Sequence, residues 1–200
     1  MRRFPAAVLP ALLLAGCSTT PVHRAGMPVR LVDCPDWELV GRIGVRRAGE
    51  GWHGTLVWRQ AGLRYHLRLE GPLGQGGLEV EGGPKAVRIR PAQGRPLTGH
   101  DLDALVARML GWSLPVSGLR FWVRGRPAPG GPAHLARDRG GRPRSLRQQG
   151  WVLHYDRWAQ NGQGAWYPAR IRAARGALRV RLVVRRLLCR PQQPVGPWGS

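Results

Sequence analysis

The chain has 200 residues, enough for one domain with a sizeable core, and carries 32 basic against 11 acidic residues for a formal net charge of +21. Lys85 is the only lysine, so the excess is arginine, and it is spread through every segment. Dispersal argues against nucleic-acid binding, which gathers basic residues into one stripe. It suits an anionic membrane surface or a simple compositional bias equally well.

Met1-Arg2-Arg3 is a positive n-region, and Phe4 to Ala15 is an apolar run too short to span a bilayer. It ends in Leu14-Ala15-Gly16-Cys17, which resembles a bacterial lipoprotein signal. That resemblance implies that residues 1–16 are cut away and that Cys17 receives the acyl chains. Ser18 follows, not the aspartate that favours inner-membrane retention, so the expected destination is the periplasmic face of the outer membrane. Residues 17–36 contain three prolines and read as a lipidated tether. No later apolar run is long enough to cross a membrane. Cys34 and Cys189 lie just before the first strand and at the end of the last, in a compartment that permits disulfides. Two readings stay open: one Cys34–Cys189 bridge, or two separate thiols.

Trp37–Arg47 reads as the first strand, with a turn at Ala48–Gly51. In Trp52–Ala61 the residues Trp52, Leu56 and Trp58 share one face. In the next strand Leu63, Tyr65, Leu67 and Leu69 oppose Arg64, His66, Arg68 and Glu70, because successive strand side chains point to opposite sides. A glycine-rich loop, Gly71–Gly77, follows, and its only large apolar residue is Leu73. Leu78–Gly82 and Ala86–Arg90 complete five strands with short turns, which predicts an antiparallel meander.

The period then changes. Thr98-Gly99-His100-Asp101 reads as a variant capping box, and Leu102, Leu105, Val106 and Met109 follow at helical spacing. Ser117 is a candidate cap for a second helix through Arg124, with Leu119, Trp122 and Val123 on its apolar side. Strands return at His134–Arg137, Ser145–Gln149, Trp151–Trp158, Pro168–Arg175 and Ala177–Arg186, and residues 189–200 read as a disordered tail. About ten strands with an inserted helical pair predict a mainly β (α+β) domain over residues 37–188. Its concave sheet, covered by helices, closes into a packed core or holds an apolar ligand.

The six histidines lack zinc-site spacing, Ser113 is outside any GxSxG elbow, and no P-loop exists. The chain reads as non-enzymatic, with no catalytic residue, metal or cofactor. It also reads as a monomer that binds no nucleic acid.

Several segments resemble the outer-membrane lipoprotein receptors of the lipoprotein localisation pathway, the LolB family. They are Gly41-Arg42-Ile43, Trp58-Arg59-Gln60, Pro72-Leu73-Gly74, Gly111–Val116, Leu119–Gly125, Gln149-Gly150-Trp151 and Pro168–Ile171, in the right order from Trp37 to Arg186. The resemblance implies an incomplete antiparallel β-barrel with a helical lid over a hydrophobic cavity. It implies a LolA-like periplasmic carrier as partner, the acyl chains of lipoprotein cargo as ligand, and outer-membrane lipid as destination. It also implies that Leu73 is the loop residue needed for membrane insertion; the competing reading folds Leu73 back onto the sheet. The arginine excess departs from the family pattern. Cavity candidates on the sheet are Trp58, Tyr65, Leu67, Trp151, Leu153, Val180 and Leu182, and on the lid Leu105, Met109 and Trp122. Ordinary core packing is the alternative for each. Two rival functions are a structural envelope lipoprotein with a filled β core and a polyanion binder.

Overall fold

A computed structural model of the chain describes residues 31–74, 76–110 and 115–190. The expected signal peptide, Cys17, most of the tether, Gly111–Leu114 and the tail beyond Arg190 lie outside the described residues.

The first half is a meander of β1 (Asp36–Arg47), β2 (Glu50–Ala61), β3 (Arg64–Glu70), β4 (Gly77–Gly82), β5 (Val87–Pro91) and β6 (Leu97–Gly99). Helices α1 (Leu102–Leu110) and α2 (Val116–Trp122) follow. The second half is β7 (Ala133–Arg137), β8 (Pro143–Gln148), β9 (Trp151–Gln160), β10 (Trp166–Arg175) and β11 (Leu178–Cys189). All eleven strands form one sheet in the order β6-β5-β4-β3-β2-β1-β11-β10-β9-β8-β7, so β1 and β11 join the halves and β6 and β7 are open edges.

Alternation is clearest in the last strand. In β11 the residues Leu178, Val180, Leu182, Val184 and Leu187 are buried while Arg179, Arg181, Arg185 and Arg186 are exposed. A bulge shifts the β1–β11 register between Val40 and Gly41. There the Val183 carbonyl oxygen would lie 2.6 Å from any Cβ at position 41, so only glycine fits. Outside the bulge, Glu38 is buried and paired by Arg59 at 3.3 Å, Arg186 at 2.8 Å and Arg190, which ties β1, β2 and β11 together. Cys34 and Cys189 are disulfide-bonded with Cα atoms 5.8 Å apart, and β11 continues through Cys189.

Three expectations change. An eleventh strand, β6, occupies Leu97–Gly99 where a capping box was expected, and the α1 cap is Asp101. Its Oδ1 accepts from the N–H of Asp103 at 2.9 Å and of Ala104 at 3.1 Å. Ser117 is not a cap either. It sits inside α2, with its N–H 3.0 Å from Asp103 Oδ1 and its hydroxyl on Asp103 Oδ2, so it staples α2 to α1. Leu63 leaves the strand and stands 62% exposed in the β2–β3 turn.

Candidate functional site

The two helices lie against the sheet's inner face through side chains. Leu102, Leu105 and Val106 of α1 and Val116 and Trp122 of α2 are buried in the same cluster as Trp58, Leu67, Trp151, Leu153, Val180 and Leu182. Met109 packs partly buried against that cluster. Trp122 and Trp151 stack as a tilted pair 6.2 Å apart, and Trp122 Nε1 donates to Gln148 Oε1 at 3.0 Å. The Tyr155 hydroxyl donates to the Trp122 carbonyl at 3.1 Å, and burial pushes its ionisation well above the ordinary tyrosine range.

Toward the β2–β3 and β4–β5 turns the packing opens into a cleft of about 370 Å³. Its apolar walls are Trp58, Leu63, Tyr65 and Val87 of the sheet side and Leu102 and Val116 of the helices, with Arg120 at its margin. Of the ten sequence candidates, Trp58 and Tyr65 line this cleft; the other eight lie in or against the packed core. Sequence reasoning missed Val87, Leu102 and Val116 as lining, and Leu63 as a rim residue. Alternation or helical spacing marked Val87, Leu63 and Leu102 as apolar-face residues but not as bordering a gap, and Val116 read only as the end of the segment that closes the first helix. A second hollow of about 930 Å³ continues outward along Leu63, Tyr65, Gly83, Pro84 and Val87.

Tyr65 is half-buried on the cleft wall, and its phenol is pushed up to about 12. Burial is the main cause, the Asp103 carboxylate adds to it, Arg120 opposes it, and Asp101 adds a little more. The hydroxyl is neutral at neutral pH, so the charges bordering the cleft come from Asp101 and Arg120 and not from Tyr65. Gly82 lies opposite Tyr65, and a Cβ there would meet the phenol ring at 2.1 Å, so glycine makes the ring's seat.

The opposite end of the sheet carries the β3–β4 loop. Gly71 N–H bonds the Gly76 carbonyl at 3.0 Å and Gly74 N–H bonds the Gly71 carbonyl at 3.2 Å, which closes the loop on itself. Leu73 at its tip is 96% exposed and sits at φ 57°, ψ 22°, in the left-handed region. A γ-branched side chain gains nothing there. Leu73 thus does not fold back onto the sheet.

The family model described as "Outer membrane lipoprotein LolB" matches residues 35–186. The protein named outer-membrane lipoprotein LolB of Pseudomonas fluorescens (strain Pf0-1) is 36% identical over 184 residues, covering 86% of this chain and 89% of that one. Its namesake in Nitrosococcus oceani is 39% identical over 157 residues, 77% of each chain. Among solved structures, a LolA superfamily protein from Nitrosomonas europaea superposes with a TM-score of 0.51 at 12% identity, over 80% of this chain and 88% of that one. That likeness concerns the fold alone. The sequence relatives carry more: this chain belongs to the outer-membrane lipoprotein LolB family.

Proposed function

We propose that this outer-membrane lipoprotein, lipidated at Cys17, accepts acylated lipoproteins from a LolA-like periplasmic carrier and inserts them into the outer membrane without nucleotide. A 16-carbon chain represents on the order of 10 kcal/mol of apolar burial, so cargo crosses water only if its chains stay covered. The cleft of about 370 Å³ falls in the size range of ligand sites. It lies where helices meet sheet through side chains, and each helix keeps its own backbone hydrogen bonds. Moving the helices outward lengthens the cleft over Leu105, Met109, Trp122, Trp151 and Leu153 without breaking a backbone ladder. Handover then needs only a modest affinity difference, since about 1.4 kcal/mol is tenfold.

The observation that carries the insertion step is Leu73, 96% exposed on a hydrogen-bonded loop in a conformation that favours glycine. Packing does not explain it, whereas a bilayer probe does. Leu73→Glu is expected to fold normally and to accept lipoprotein from the carrier, yet to fail in delivering it to vesicles. Normal delivery by that variant refutes the role. Acceptance itself is tested by mixing a Cys17→Ser form with carrier–lipoprotein complex and following co-migration of the cargo; no transfer by folded protein would favour a structural lipoprotein with a filled core.

A further inference from the structure

The outer wall of the sheet holds a depression of about 520 Å³ with a small apolar floor, and the charged residues that line it, Arg46, Arg172, Arg179 and Arg181, are all arginines. Strand register assembles it. One row across β2, β1, β11, β10 and β9 is His53, Gly44, Arg181, Arg172 and His154. The neighbouring row is Gly51, Arg46, Arg179, Ala174 and Val152. Gly44, Gly51 and Ala174 keep the floor low, and a Cβ at Gly44 would meet nothing closer than 3.9 Å. Arg46 stands directly across from Arg179, and Arg172 from Arg181. Like charges in such cross-strand positions destabilise a sheet, so folding alone does not favour them. Asp156 answers one of the four, binding Arg172 through two hydrogen bonds of 2.6 and 2.7 Å. Arg179 turns to the Gly176 and Leu178 carbonyls. Arg46 and Arg181 form no ion pair among the described residues.

The depression is at the Leu73 end of the sheet. Glu70, the last residue of β3, pairs with Thr55, and His53 of the basic row is two residues further along β2. The β1–β2 turn at Ala48–Gly49 and the β10–β11 turn at Gly176 close the same end, where Trp52 is 39% exposed. Other carboxylates near this end are Glu70, held by Arg68 at 3.0 Å, and Glu50, opposite Arg47. The cleft opens at the other end.

We propose that this arginine-rimmed depression docks the anionic headgroups of membrane phospholipids and holds the Leu73 end of the protein against the bilayer. The proposal rests on the reading of Leu73 as the membrane probe and gives Arg46 and Arg181 an anionic partner. An apolar tip too small to anchor alone becomes effective when basic side chains beside it add a second, electrostatic contact.

The test compares full-length Cys17→Ser chains, all sharing one N-terminal segment, for co-sedimentation with phosphatidylethanolamine vesicles with and without phosphatidylglycerol. Arg46→Gln/Arg181→Gln is expected to bind the anionic vesicles roughly 30-fold more weakly, at about fivefold per arginine, with a shallower salt dependence. Arg139→Gln/Arg157→Gln, which removes equal charge toward the opposite end and away from both the depression and the cleft, is expected to bind like the parent. The first pair should melt no lower than the parent, because each substitution relieves a cross-strand repulsion. Both pairs should still accept cargo from the carrier in solution; a parent that cannot accept cargo counts against the receptor reading and not against docking. Equal loss in both pairs, or no loss in the first, overturns the proposal. Loss of carrier handover with vesicle binding intact reassigns the surface to an acidic protein. Displacement by inorganic phosphate at constant ionic strength reassigns it to a free anion.

Discussion

Gln148 is the side chain that fastens the end of the helical lid to the sheet, and its removal should be expensive. It is 3% exposed on β8. Its Oε1 accepts from Trp122 Nε1 at 3.0 Å and from the Ala128 N–H at 2.8 Å, while its Nε2 donates to the Ala128 carbonyl at 2.7 Å. Gln148→Leu keeps the bulk and strands two donors and one acceptor in a buried site. Each such group costs about 1–3 kcal/mol, so a loss of at least about 3 kcal/mol is expected. For a domain of this size that lowers the melting temperature by roughly 10 °C. Urea unfolding reads the change directly. Trp122→Phe removes one donor and leaves the Ala128 pair intact, but it also opens space beside Trp151 in the core, so its loss combines a cavity with a single hydrogen bond. A Gln148→Leu loss below about 1 kcal/mol would show that these groups reach water in the native state, and the lid end would not be clamped.

Other outcomes follow from the same geometry. The Cys34–Cys189 bridge closes a separation of 155 residues, which by loop entropy stabilises the fold by about 5 kcal/mol. Cys34→Ser or reduction should shift urea unfolding accordingly, and a midpoint indifferent to reductant would refute it. Hydrogen bonding from His66 lowers the Glu79 carboxyl below its ordinary 4.5, with Arg90 adding to the effect, and Arg172 lowers Asp156 below 3.8. A lowered folded pKa gives stability that is present above the ordinary values and lost as pH falls through the folded ones. Urea midpoints should therefore fall below about pH 4.5, and Glu79→Gln should flatten the upper part of that fall. Gly41→Ala would force a Cβ to 2.6 Å from the Val183 carbonyl and should cost about 1–3 kcal/mol, measured the same way.

The strands were legible because a wet outer wall and an apolar inner one force alternation, and β3 and β11 show it almost without fault. β6 was not legible: three residues with one outward threonine carry no period, and Thr98 mimics a helix cap. Ser117 failed for a related reason, since a serine before an apolar stripe suits a cap until a carboxylate from another helix takes it. Leu73 could be picked out as the one large apolar residue in a glycine loop, but its left-handed backbone could not. The cavity candidates show the deeper limit. Alternation marks which face is buried, and only the distance between helices and sheet decides where packing ends and a cleft begins. Likewise Arg46 and Arg179 are 133 positions apart and become neighbours only through the β1–β11 register.

The open sheet explains how one core can both fold and yield. Had β6 paired with β7, the strands would have closed into an eleven-stranded barrel, too wide for its own strand side chains to fill. Instead the chain between them turns inward as α1 and α2 and covers the concave face, while both edges stay short, three and five residues. The sheet's backbone is held by its ladder, by the Glu38 arginine cluster and by the disulfide, so it stays rigid. Asp103 on Ser117 joins the two lid helices, and the lid is held to the sheet by apolar contact, by Gln148 on Trp122 and by the Tyr155 hydroxyl on the Trp122 carbonyl. Apolar contact with a lid helix and with an acyl chain differ little in free energy per unit area, so a chain can replace a helix face at small net cost. On the proposed function, that near-equality would let handover proceed without nucleotide and would leave the control of cargo entry to the few polar contacts that fix the lid.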